Sequence, residues 1–218
     1  MKIPSIARST IFLIALLIAI VGCSRSNPTG SGDVHYGYFP LRAGSWWRYS
    51  QSSGDGMSFT SDSLRKDVIG TLPGPDGNPS TAVQVQTYDT MLMPGHNPSG
   101  IDTSYYRKLG SSLEVYNEYQ STWILVHRYP LTIGAAWLVT PQFDSLYWDS
   151  VRIVAQETVI VPAGTFYDCV KLKDWNNWWS DYQHYTWLAP NVGLVKESTA
   201  VAPIAYGVRT LRSYRIAH

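Results

Sequence analysis

Phe39-Pro40-Leu41-Arg42-Ala43-Gly44-Ser45-Trp46-Trp47 is answered 90 residues later by Tyr129-Pro130-Leu131-Thr132-Ile133-Gly134-Ala135-Ala136-Trp137. Both stretches read aromatic-Pro-Leu-x-x-Gly-x-x-Trp, a match too long to arise by chance. In each, proline fixes φ, glycine accepts a bend, and a tryptophan follows where the chain straightens, which predicts a corner leading into a strand. Trp46, Trp47 and Trp137 are expected as core anchors, each burying on the order of 150–250 Å².

The correspondence continues downstream. Val68 to Pro73 runs parallel to Thr158 to Pro162, Val83-Gln84-Val85-Gln86 to Val170-Lys171-Leu172-Lys173, and Tyr106 to Val115 to Tyr185 to Val195. The sequence therefore predicts two tandem β repeats of about 90 residues, 39–128 and 129–216, inside one domain spanning 36–218. No long stretch carries 3.6-residue apolar spacing. Short runs rich in Val, Ile, Thr, Tyr and Trp alternate instead with Gly, Pro, Asn and Asp, an all-β signature. Candidate strands are Trp46–Ser50, Ser58–Ile69, Ala82–Tyr88, Ser104–Leu109, Leu113–Glu118, Thr122–Arg128, Trp137–Val139, Trp148–Val161, Tyr167–Asp174, Gln183–Leu188, Gly193–Ser198 and Tyr206–Ile216. The expected architecture is a curved antiparallel sheet, a half-barrel or open barrel.

Composition bounds the function. With 218 residues, 44% hydrophobic, 15% charged and 13% aromatic, the chain can build a sizeable core and is not a disordered one. A formal net charge of +1 lacks the basic excess that nucleic acid recognition requires.

The first segment reads as an address. Lys2 and Arg8 precede an unbroken apolar run from Ile11 to Val21, then Gly22-Cys23. As a helix the run rises about 16 Å, half the ~30 Å hydrocarbon thickness, so it predicts a signal peptide over 1–22 rather than a membrane span. Ile20-Val21-Gly22-Cys23 resembles the lipobox of bacterial lipoproteins. That resemblance implies diacylglycerol on the Cys23 thiol, cleavage before it, and a membrane partner reached through N-terminal acyl chains. Two or three such chains anchor stably where one does not. Ser24 in place of aspartate leans toward the outer membrane of a Gram-negative cell. Residues 23–35 then form a flexible tether of Ser, Asn, Pro, Thr and Gly. Losing Lys2 and Arg8 leaves 15 of the 17 basic side chains against 16 acidic ones. With Cys23 blocked, Cys169 has no disulfide partner and is expected as a buried strand residue.

No catalytic template is apparent. His35, His96, His127, His184 and His218 fall at no zinc-ligand spacing, and the sequence holds no Gly-x-Ser-x-Gly elbow, His-Glu-x-x-His or phosphate loop. No metal and no cofactor are expected, and an unrecognised hydrolase is kept only as a third reading. Asp181 and His184, at i and i+3, are expected as a surface pair. Arg209, Arg212 and Arg215 are expected as solvated charges protecting a sheet edge.

Residues 174–182, Asp174-Trp175-Asn176-Asn177-Trp178-Trp179-Ser180-Asp181-Tyr182, concentrate three indoles in a loop. Trp175, Trp178, Trp179, Asp181 and Tyr182 could stack on and hydrogen-bond a glycan. The loop could equally cap an open barrel end, or place its indoles at a membrane surface.

Phe39-Pro40-Leu41, Gly44 and Trp47-Arg48-Tyr49, then Val161-Pro162-Ala163-Gly164-Thr165-Phe166 with Cys169, then Trp187 to Lys196, resemble a group of bacterial envelope lipoproteins of uncharacterised function. Their strand pattern is similar to that of envelope carrier half-barrels such as the outer-membrane lipoprotein carriers. The resemblance implies a lipid-anchored, non-enzymatic envelope protein that binds an apolar ligand, a lipid or an envelope protein segment on a concave β surface. The alternative is a glycan- or peptidoglycan-binding or structural envelope module using the Trp-rich loop.

Overall fold

Twelve strands and no helix make up the described residues of the computed structural model, which are 37–54, 59–89, 100–142, 147–176, 181–201 and 205–218. The expected signal peptide, Cys23 and the tether lie outside them. The strands are β1 (Trp46–Gly54), β2 (Phe59–Pro73), β3 (Pro79–Asp89), β4 (Gly100–Leu109), β5 (Ser112–Asn117), β6 (Thr122–Arg128), β7 (Ala136–Gln142), β8 (Tyr147–Val161), β9 (Gly164–Asn176), β10 (Tyr182–Ala189), β11 (Gly193–Val201) and β12 (Ala205–Arg215). They form one antiparallel sheet in the order β6-β5-β4-β3-β2-β1-β12-β11-β10-β9-β8-β7. Each half of the chain is thus a six-stranded meander, and the halves join where β1 pairs with β12. The edge strands β6 and β7 come together, so the sheet is nearly closed into a barrel.

The two corners bond alike. Gly44 N–H donates to Val68 C=O at 2.8 Å and Val68 N–H to Ser45 C=O at 2.9 Å. Gly134 N–H donates to Ile153 C=O, and Ile153 N–H to Ala135 C=O, each at 2.9 Å. Gly44 and Gly134 adopt φ of 84° and 88°, where a side chain is strained, which is why glycine recurs there. Val68 and Ile153 each precede a bulge in the following strand pair. Val68 therefore stands where Ile153 does rather than where Thr158 does, because β7 is shorter than β1 and brings β8 back sooner. In both halves the turn of the second hairpin reaches the sixth strand. Asp76 Oδ2, between β2 and β3, accepts from Trp123 Nε1 of β6 at 2.7 Å, and Ala163 N–H, between β8 and β9, donates to Leu211 C=O of β12 at 3.0 Å.

The core has two centres. Trp47, Tyr49, Leu64, Val83, Val195 and Leu211 belong to one, and Trp137, Ile153, Leu172 and Leu188 to the other. Trp47 Nε1 donates to Val192 C=O at 2.6 Å and Tyr49 OH to Leu194 C=O at 3.1 Å, so the buried aromatic polar atoms of β1 are satisfied by the chain two strand positions away. Trp47 and Trp137 are buried, as is Cys169, whose thiol burial pushes up to about 11.

Two expectations are corrected. Trp46 is only half-buried and carries the Arg65 guanidinium 5.3 Å above its ring. Adjacent residues of a strand point to opposite faces, and Trp47 holds the inner one. Arg209, Arg212 and Arg215 are not edge charges, because β12 lies between β1 and β11 in the interior of the sheet order, although Arg212 and Arg215 are exposed.

Candidate functional site

Between β5–β6 on one side and β8–β11 on the other lies a cavity of about 610 Å³. Its walls are apolar, with Val115 and Ile124 facing Val151, Leu172 and Leu188. Alternate residues supply that lining, Leu172, Asp174 and Asn176 from β9 and Tyr182, His184, Thr186 and Leu188 from β10, and the curvature of the sheet keeps the opposed faces apart. A volume of this size is in the range that encloses a drug-sized organic molecule.

The two ends of the cavity differ. At the end where β8 and β10 begin and β9 finishes, the lining is polar: Asp149, Asp174, Asn176, Tyr182 and His184. At the other end stand His127, from the close of β6, and Phe39, from the segment leading into β1. Phe39 lies 5.2 Å from the Tyr106 ring and 5.7 Å from the His127 ring, so the first aromatic of the corner motif plugs this end.

A polar ladder crosses five neighbouring strands at the polar end. His184 on β10 bonds Asp174 of β9 through Nδ1 and Glu197 of β11 through Nε2, the latter at 3.1 Å. Arg209 of β12 donates to Glu197 at 2.5 Å and, through Nε and Nη2, to Gln51 of β1 at 3.0 and 2.7 Å. Burial alone would lower the His184 pKa, but hydrogen bonds to Asp174 and Glu197 outweigh it and raise the imidazole to about 9. Burial works against the Glu197 carboxylate, yet His184 and Arg209 hold its pKa below the usual range. Lys66, lining a smaller cavity against Trp47 and Tyr49, is pushed down to about 8 by burial and then by Arg209.

Of the residues singled out in the Trp-rich stretch, Trp175 ends β9 half-buried, with the Arg152 guanidinium 5.5 Å over its ring. Tyr182 stacks on His184 at 6.2 Å and 26°, and burial followed by Asp174 and Asp149 raises its hydroxyl to about 12. Asp181 is exposed, while the carboxylates bonded to His184 are Asp174 and Glu197, contrary to the expected i, i+3 pair. Trp178 and Trp179 lie outside the described residues. Among those residues no group of three His, Cys, Asp or Glu is placed to hold a metal ion. Sequence reading missed His127 and His184 as cavity groups, and Glu197 and Arg209 as members of the ladder behind His184. Their partners are distant along the chain and meet only through strand register.

No family model matches the chain, and no curated protein matches it by sequence. Two crystal structures share its fold. One is a "putative exported protein with YmcC-like fold" from Bacteroides fragilis, 16% identical at a TM-score of 0.54, covering 81% of this chain and 98% of its own. The other is a "putative lipoprotein" from Parabacteroides distasonis, 13% identical at a TM-score of 0.50, covering 82% of this chain and 98% of its own.

Proposed function

We propose that the chain is a lipid-anchored, non-enzymatic protein of the bacterial cell envelope that holds an apolar ligand in the lumen of its sheet. The observation that carries this reading is the cavity of about 610 Å³ with aliphatic walls and one polar end. Burying apolar ligand surface there gains roughly 25 cal/mol per Å². The lipobox-like run ending at Cys23 supports the anchor, and the descriptions of the two fold neighbours agree with an envelope address. Ser24 favours the outer membrane where the cell has one. Binding rather than turnover fits the polar end: both nitrogens of His184 are engaged by carboxylates, so a protonated imidazole has no lone pair to offer as a base. Trp175 and Tyr182 serve this reading as lining of the polar end rather than as a separate glycan site.

Leu172→Trp fills the cavity from its wall. Titration with the apolar dye Nile red should show saturable binding by the wild type and at least tenfold weaker binding by the variant, with an unchanged far-UV circular dichroism spectrum. Equal binding by a folded variant would refute the lumen as the site.

A further inference from the structure

Lys66 puts an ammonium group where the inner face of β2 is otherwise apolar. It alternates on that face with Leu64 and Val68, both core residues, and pairs across to Trp47 of β1 and Val85 of β3. It is the charged residue in the lining of a second cavity, of about 90 Å³, which it shares with Trp47, Tyr49, Val83, Tyr106 and Leu194. Among the described residues its ammonium has no hydrogen-bond or ion-pair partner, and it is not sealed within the wall. Glu197 and Arg209 act on it through space alone. Their charges are already matched within the ladder, where Asp174 and Glu197 face His184 and Arg209, two carboxylates against two cations. Lys66 is the surplus. A cation kept among aromatic and aliphatic side chains without a counter-ion is costly, and a methionine of similar length would fill the same place without that cost.

The second cavity adjoins the larger one, because Phe39, Val126 and Leu194 line both. An apolar chain lying in the larger cavity therefore points its inner end, past the Phe39 ring, at Lys66. The charges of the two cavities orient such a chain. At the polar end stand Asp149 and Asp174 against the single imidazolium of His184, an excess of negative charge that repels an anion. At the inner end stands an unmatched cation. One such cation balances one negative charge, which is what a carboxylate carries, whereas a phosphate monoester carries about −1.5 to −2 at neutral pH.

We propose that Lys66 is the head-group site for a long-chain carboxylate whose apolar tail occupies the larger cavity. This rests on the lumen being a ligand site and names the class of that ligand.

The test is displacement of Nile red from the purified full chain by palmitate, by 1-hexadecanol and by hexadecyl phosphate. Palmitate should be about tenfold more effective than the alcohol, the worth of one charge-assisted hydrogen bond, with the phosphate weaker than palmitate. Lys66→Met should bring palmitate down to the level of the alcohol, leave the alcohol unchanged, and melt no lower than the wild type without ligand, since it removes an unmatched charge. Lys66→Arg, which keeps the cation, should retain the preference for palmitate. If the wild type takes the alcohol as readily as palmitate, or if Lys66→Met keeps the preference, the inference is overturned and water is what solvates Lys66. Hexadecyl phosphate binding as tightly as palmitate would overturn the assignment to a carboxylate. If Nile red does not bind the wild type, or is not lost in Leu172→Trp, the lumen reading itself fails.

Discussion

His184 and Glu197, on the neighbouring strands β10 and β11, are joined by a hydrogen bond of 3.1 Å between Nε2 and Oε1, and the opposite nitrogen of the same ring bonds Asp174. Because these carboxylates raise the imidazole to about 9, folding stabilises its protonated form. The resulting stability is fully present below the unfolded pKa of about 6.5 and is lost as pH climbs through 9. His127 behaves oppositely. Its pKa of about 4 means that the unfolded chain takes up a proton first, so stability is present above about 6.5 and declines as pH falls toward 4. Thermal melts should therefore peak near pH 6.5. His184→Gln should flatten the alkaline limb and His127→Gln the acid limb. A wild-type melting temperature that rises from pH 6.5 to 9 would contradict the ladder.

Trp137→Ala should cost about 3–5 kcal/mol in urea unfolding, because it empties a buried site beside Ile153 and Leu172. Trp46→Ala should cost no more than about 1 kcal/mol, since that ring is half-exposed beneath Arg65. Equal costs would mean that Trp46 is buried like Trp137 and has been misassigned to the outer face of β1.

Removing Arg209 leaves Glu197 with one cationic partner and deprives Gln51 Oε1 of both guanidinium bonds. Arg209→Met should destabilise by about 1–3 kcal/mol. Arg212→Met, exposed on the same strand, should stay within about 0.5 kcal/mol. A double-mutant cycle with Glu197→Gln should show coupling at position 209 and none at 212.

Cys23→Ala should shift the protein from the membrane fraction to the soluble fraction on cell fractionation, since the proposed acyl chains are its anchor. Retention of the variant in membranes after a high-salt wash would count against lipidation.

The strand pattern was legible because β structure writes itself locally. Period-two alternation and the Gly and Pro breaks marked every described strand, from Trp46 to the end of β12. The same period, applied strictly, also separates Trp46 from Trp47, since adjacent strand residues cannot share a face; corner-motif similarity led instead to treating both as core. What sequence could not show is register. Asp174, His184, Glu197, Arg209 and Gln51 sit on five strands in order across the sheet, and the last of these is supplied from the opposite end of the chain. Nor does alternation reveal whether inward side chains meet or stand apart, which is what separates a filled core from a cavity.

The rims β6 and β7 are consecutive in the chain, and the corner over residues 129–135 ties the close of one to the start of the other. Tyr129 N–H clasps Ser111 C=O at 2.8 Å, and Gly134 N–H clasps Ile153 C=O at 2.9 Å, so this short bridge is riveted to both walls. The seam is stitched at one end, beside His127 and Phe39. Like the hinge of a clothes-peg, the corner holds the two rims at a set spacing where the chain passes from one half into the other.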